Sequence, residues 1–551
     1  MSPIHSFAHS PIRLFAHSLI LVLALAAGCS WPTASPLPTP VPSATATPEP
    51  TATPNATPTP AGPLIILGRE DVAPLDPFGS SGPIARAVAG TLADTLLHVD
   101  PADGSLIPGL ATGWQVSDDV QTITFSLPAD RRWSDGRPLT ADDVAYSIRQ
   151  ALDADQGKGI GPYIHLVSAI TAVDPQHVRV RLAAGLCAAL YDLAAIPIVP
   201  QHVWAGRADP SRQMITGGAY AVRVPGQAQF IRNPNYAPTP ATFSEWAYRQ
   251  ATDASKMTEA LASGTAHAAL LPADNADPSA DDVRLLAAPS RRLTSLAYRP
   301  DHEILQDPRV RQALAHAVDR KALVQTLFGH AGLLPRTHLP PHHWAAEQAP
   351  DPPAYDPAEA ARLLDRAGWT DSDSDGIRDR DGQPLRLDLL APLGSQQAED
   401  IPVVLRHQLR PLGIDLRPQF AEPLIFQDNL YDNQFEIALV TWDTGLDPDQ
   451  LDLWHSPGSD DAPAYNFTRY TNLDVDRWLD EARALPTCDP ERRAALYGQV
   501  WQALQRDQPY TVLFAWPQTL LVRQGLTGPR LSPFVNPLWN LAQWRWGPAS
   551  P

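Results

Sequence analysis

Apolar and polar positions alternate along several short stretches of this chain, and in others apolar residues recur at helical spacing. Ile123, Phe125 and Leu127 are separated by polar residues, the period-two pattern of a strand with one buried face. His177-Val-Arg-Val-Arg-Leu182 repeats that pattern, and Leu64-Ile65-Ile66-Leu67 reads as a short buried strand. Asp135-Gly136 supplies a turn, and Thr140 with Asp143 three residues on predicts a helix start of the capping-box kind. Val144, Ile148 and Ala151 then share one helical face. Asp307-Pro308, Asp356-Pro357 and Asp489-Pro490 each place a capping acid before a proline at the first helical position. Glu359 adds the reciprocal capping acid to the second of these, and Gly368 stops that helix. Strands and helices mixed along the whole length predict an α/β protein.

The first sixty residues read differently. Leu14 to Ala27 form an apolar run, shorter than the ~20 residues of a membrane-spanning helix. Residues 31–62 are almost entirely Pro, Thr, Ala and Ser, which cannot bury a core and predict an extended, solvated tether. At about 3.1 Å per residue, such a tether holds a folded body up to roughly 100 Å from its anchor. The chain shows no internal repeat and no second apolar stretch of membrane length.

At 551 residues the chain exceeds what one core normally holds, so two or more lobes are expected. Its net charge of -18 argues against nucleic acid, because there is no basic footprint to displace counterions. Three cysteines exclude a disulfide scaffold and a Cys-rich metal cluster. Cys187 and Cys488 either bridge or stay apart, and their spacing does not decide which. There is no G-x-x-x-x-G-K-[ST] phosphate loop, no H-E-x-x-H and no G-x-S-x-G elbow. Binding, rather than catalysis, is the expected class.

Several strings carry more than secondary structure. Residues 114–151 include Trp114, Ser117, Asp119, then Thr124-Phe125 and Trp133-Ser-Asp-Gly-Arg-Pro-Leu-Thr-Ala-Asp-Asp-Val144. Leu75-Asp76-Pro77, Gly218-Ala219-Tyr220 and Arg232-Asn-Pro-Asn-Tyr236 follow. Asp307-Pro-Arg-Val-Arg-Gln-Ala-Leu314, Asp356-Pro357 through Ala367-Gly-Trp369, Leu412-Gly-Ile414 and Asp489-Pro-Glu-Arg-Arg-Ala-Ala-Leu-Tyr497 complete the series. In this order they resemble the extracellular solute-binding proteins, family five, the peptide- and nickel-type receptors of bacterial ABC importers. Leu25-Ala-Ala-Gly-Cys29 is similar to a lipoprotein lipobox, which implies signal peptide removal and a lipid on Cys29.

The resemblance implies a two-lobed periplasmic-binding-protein-like fold (class II, cluster C type) that closes over its ligand by a hinge. On that reading residues 1–28 are signal peptide and 29–62 the lipidated cysteine and tether. Lobe I takes 63–100, 205–292 and 515–551, with 101–204 as its appended subdomain, and lobe II takes 293–514. The expected ligand is a peptide or similar polar solute, the expected partners are separately encoded permease and ATPase subunits, and a monomer is expected at the outer face of the membrane. The alternatives are a nickel chelate, an oligosaccharide or another small solute, or a surface lipoprotein that senses without transport.

The resemblance also nominates ligand residues. Trp442-Asp443 lies where peptide-binding relatives carry an aspartate for the ligand's α-amino group, with Asp443 either that group or a solvated loop carboxylate. The alternative acid for that contact, Asp447, belongs to Asp447-Pro448, which reads as a turn. Arg299 stands where the family usually has asparagine; facing the cleft it favours a carboxylate-bearing ligand, and otherwise it is an edge arginine in solvent. Trp454 and Trp516 lie where relatives approach the cleft, and Asp76 and Tyr220 belong to the matching motifs. Asp371, Asp373, Asp375 and Asp379 with Gly376 follow a calcium-loop spacing, although Gly382 stands where that loop needs a bidentate glutamate, so the rival is an acidic hairpin turn. His342-His343 has no partner cluster, and adjacent side chains diverge, which argues against a metal there. No other cofactor is expected.

Overall fold

The alternating segments form strands, and the capped segments form helices, in the computed structural model. It describes residues 62–547 apart from 74, 79–81, 156–162, 206–214, 225, 237–239, 273–281, 330–333, 395 and 458–464. Cys29 and the Pro/Thr/Ala-rich stretch up to residue 61 therefore lie outside the described residues. No helix among the described residues is long and apolar enough to cross a membrane.

The principal strands are β1 (Leu64–Gly68), β2 (Gly113–Val116), β3 (Thr122–Ser126), β4 (Val167–Asp174), β5 (His177–Leu182), β6 (Tyr220–Val222) and β7 (Gln229–Arg232). They continue with β8 (Glu245–Gln250), β9 (Ala268–Pro272), β10 (Val283–Tyr298), β11 (Arg386–Pro392), β12 (Asp415–Ala421), β13 (Ile437–Asp443) and β14 (Tyr510–Arg523). Strands β2 to β5 form a separate antiparallel sheet in the order β2-β3-β5-β4. Ile123, Phe125, Val178 and Val180 are wholly buried beneath it, against Val144, Ile148 and Ala151 of the helix Ala141–Asp155. The helix start is held as its sequence predicts: the Asp143 carboxylate accepts the backbone N–H of Thr140 at 3.0 Å. The same buried carboxylate also takes the Trp133 indole N–H at 3.3 Å and the Gln201 N–H at 2.9 Å, which ties turn, helix and following segment together.

The helices Pro308–Ala317, Pro357–Arg366 and Pro490–Asp507 begin at the three Asp-Pro pairs. In each, the aspartate side chain accepts a backbone N–H of the first turn, so the short acid satisfies a donor that the helix itself cannot. Gly368 takes φ +87° just beyond the second helix, a conformation that costs glycine little.

The other ten strands make one mixed sheet, in the order β6-β7-β8-β1-β9-β14-β10-β13-β11-β12. The long antiparallel partners β10 and β14 run through both halves of it. Their register slips between Pro289 and Leu293, which divides the sheet into a first half built on β1 and a second built on β11. In the first half Ile66 and Leu270 pack on one face and Leu67 and Leu271 on the other. In the second, Leu387, Leu389 and Leu439 face one helical layer, and Ala438 and Val440 the opposite one. Strands buried on both faces need the continuous apolar runs that these segments carry.

Strand directions show where the halves meet. Strands β1, β8 and β9 are mutually parallel, and so are β11, β12 and β13. Strand β9 runs with β10 and ends with Pro272 opposite Gln518. Strand β13 runs against β10 and ends with Asp443 opposite Arg292. The two parallel sets thus aim their carboxyl ends at each other, across the short stretch where β10 and β14 pass between halves.

Candidate functional site

In open α/β sheets ligands bind beyond the carboxyl ends of the parallel strands, because chain crossovers leave a crevice there. Here two such edges oppose each other over a floor made by Pro289–Arg292 of β10 and Ala515–Gln518 of β14. The edge of the first half carries Glu70, Asp71 and Asp76 in the loop after β1. The edge of the second carries Glu422 after β12, and Trp442, Asp443 and Thr444 at the end of β13. Phe420, Leu424 and Ile425 add exposed apolar surface to that second edge.

Asp443 is two-thirds exposed, and Arg291 lies 3.8 Å from its carboxylate. The Arg291 carbonyl accepts both the backbone N–H and the hydroxyl of Thr444 at 3.1 Å, which fastens the loop to the floor. Trp442 points to the opposite face, half-buried, stacked on Phe467 at 5.5 Å and edge-on to Tyr465. Trp516 sits on the floor itself. Its indole N–H donates to Thr294 Oγ1 at 2.8 Å, and Phe328 and Phe514 hold its ring edgewise. Arg292 places its guanidinium over that ring, 5.1 Å from the centroid.

Three of the nominated ligand residues are elsewhere. Arg299 follows the far end of β10, roughly 20 Å of strand from Arg292. It pairs with Asp301 at 3.1 Å and donates to the Asn433 carbonyl. It is the edge arginine of the two readings. Trp454 is 1 % exposed, its indole N–H bonded to Gln450 and its ring packed against His338 and Tyr510, so it is core. Tyr220 is fully buried in β6, edge-on to Trp246 and away from the two facing edges. Both rings are consumed by packing because each removes a large apolar area from water. Asp76 stays on the first edge, where its carboxylate accepts the Phe78 N–H at 2.9 Å and shapes the turn.

Asp447 does shape a turn, accepting the Asp449 N–H, and it does more. With both oxygens it grips Arg493 at 2.8 and 2.9 Å in a nearly water-free pair. Asp449 beside it accepts from Arg483 and from the Tyr163 hydroxyl, and burial raises its pKa. Tyr163 belongs to the β2–β5 unit, so this carboxylate joins that unit to the second half. Cys187 and Cys488 complete the same seam with a disulfide, their Cα atoms 5.5 Å apart across 301 residues of sequence. The Cys187 N–H donates to the Arg483 carbonyl alongside it.

The acidic loop is divided. Asp371, Asp373 and Asp375 bring oxygens within 4.8 Å of one another. Asp379 instead receives the backbone N–H and hydroxyl of Ser372, so hydrogen bonding turns the fourth predicted ligand away from the other three. His343 is enclosed, its Nε2 bonded to the Leu446 carbonyl and its Nδ1 accepting the Ala345 N–H.

Residues 105–463 match the family model for bacterial extracellular solute-binding proteins, family 5. The chain belongs to that family. The oligopeptide-binding protein AppA of Bacillus subtilis is 25% identical over 432 residues, covering 75% of this chain and 78% of AppA. Protein XP55 of Streptomyces lividans is 30% identical over 457 residues, covering 81% of each. Among solved structures, NikZ of Campylobacter jejuni in complex with Ni(L-His) superposes with a TM-score of 0.64 at 24% identity, covering 88% of this chain and 99% of NikZ. This family 5 member is thus a two-lobed, extracytoplasmic solute-binding protein, and the two halves are its lobes.

The deciding feature of its floor, the Arg291-Arg292 pair, was not among the residues nominated from sequence. Its signal is present: two consecutive arginines follow Pro289-Ser290 in the middle of a long, largely apolar strand.

Proposed function

We propose that this family 5 protein is the peptide-capturing subunit of an ABC importer, held by a lipid on Cys29 at the outer face of the cell membrane. It passes its ligand to permease and ATPase subunits encoded separately, and works as a monomer. Lobe I is residues 63–100, 205–292 and 515–551 with the subdomain 101–204, and lobe II is 293–514. The observation that carries the ligand class is the mixed charge of the site: acids on both carboxyl edges, arginines on the floor between them, and apolar Phe420, Leu424 and Ile425 on the rim. A zwitterionic chain with variable side chains suits that arrangement better than a neutral sugar. The peptide-binding name of AppA points the same way.

A thermal-shift screen of short peptides, oligosaccharides and nickel chelates tests it. A ligand present at about 100 times its Kd adds about 2.7 kcal/mol of stability, enough for a clear shift. Peptides are expected to raise the melting temperature, with tryptophan fluorescence changing as the lobes close. Stabilisation by nickel–histidine or by sugars, with silence across all peptides, would remove the peptide assignment.

A further inference from the structure

The two arginines of the floor differ in what they touch. Arg291 lies against Asp443 at 3.8 Å. Arg292 has no carboxylate within 4 Å among the described residues, and its side chain is exposed. What holds it is the face of Trp516, and Trp516 is itself fixed by its hydrogen bond to Thr294 and by Phe328 and Phe514. Thr294 in turn shares a 2.8 Å hydroxyl contact with Thr441 on β13, which locks the floor strand to the strand that ends in Asp443. The guanidinium is therefore presented on a rigid platform while its donor edges remain available. Arg292 is opposite Asp443 in the β10–β13 register, so the two side chains leave the sheet on the same face.

We propose that Arg292 is the carboxylate subsite of this receptor. This rests on the peptide reading and sharpens it: the ligand class is a peptide whose free carboxylate docks on Arg292, at the hinge. Stacking on Trp516 leaves the planar fork of N–H donors free for two parallel hydrogen bonds to the two carboxylate oxygens. Of the two arginines on the floor, Arg292 is the one with no carboxylate within 4 Å among the described residues, so it is the one open to an incoming anion. Because β10 passes between lobes at Arg292, the contact also sits where closure brings both edges together and excludes water, which strengthens a charged hydrogen bond.

The test compares two pools of random tri- to pentapeptides lacking Asp and Glu, one with free C-termini and one C-terminally amidated. Each is titrated calorimetrically into the full-length mature protein and into its Arg292→Met and Arg299→Met variants. Methionine keeps an apolar stem on Trp516, and circular dichroism with a melting curve confirms that each variant folds. The free-acid pool is expected to bind wild type at least about tenfold more tightly than the amidated pool, the scale of one charge-assisted contact. Arg292→Met should erase that difference between the pools, and Arg299→Met should preserve it. Equal binding of acid and amide by wild type, or a preference that survives Arg292→Met, overturns the subsite and leaves peptide capture standing. Binding of neither pool overturns both.

Discussion

His338 is wholly enclosed in lobe II, edge-on to Trp454 and Tyr510 with Nε2 3.1 Å from the Ser295 hydroxyl. Burial disfavours its charged form and lowers its pKa to about 3, and burial likewise lowers that of His343 to about 4. Both values lie below the ordinary 6.5, so the stability these imidazoles contribute is complete above pH 6.5 and is lost as pH falls through 4 and 3. Asp192 acts with the opposite sign. Burial raises its carboxyl to about 7, so its contribution is complete below 3.8 and is lost as pH rises through 7. His267, lowered to about 4 by burial, acts in the same direction, and the three imidazoles together outweigh the one carboxyl. The melting temperature is expected to fall steadily from pH 6.5 to pH 3, and His338→Gln should flatten that slope. An unchanged slope in the variant would show that the buried imidazole is not what titrates. At this scale the sequence identifies chemistry but not direction. Arg299 and Arg292 are equally arginine in the sequence, and only the strand register shows that one ends up at the far edge and the other on the floor.

Helix starts and alternating strands are local events, so the elements were legible. The three Asp-Pro helices, the helix after Thr140 and strands β1, β3 and β5 all stand where the residue pattern puts them, because capping and side-chain alternation act over a few residues. Pairings between distant elements are another matter. Nothing within reach of Cys187 in the sequence indicates Cys488, which the fold delivers through the segment after the helix Leu473–Arg483. The bridge adds a third covalent crossing to the two strands that pass between the lobes, beside the Tyr163–Asp449 and Cys187–Arg483 hydrogen bonds. Closing a loop of 301 residues restricts the unfolded chain strongly. Cys488→Ser should therefore lower the unfolding free energy by about 2–5 kcal/mol. Denaturant titration of wild type, reduced wild type and the variant checks this, and equal midpoints for all three would mean that the bridge does not form in solution.

For the molecule as a whole, the proposed anchoring on Cys29 is open to a direct test. Metabolic labelling with a radioactive fatty acid should mark the wild-type protein, and Cys29→Ala should abolish the label and move the protein from the membrane to the soluble fraction. A Cys29→Ala protein that stays with the membrane would rule out the lipid as its anchor. The sequence by itself determined the α/β class and the family motifs, because these depend on composition and on residues a few positions apart. The tertiary structure alone decided which side chains share the crevice. Arg292, Trp516 and Asp443 come from three separate strands, and their meeting depends on the register slip in β10 and on the facing carboxyl ends of two parallel strand sets. Those are long-range pairings that no local preference encodes.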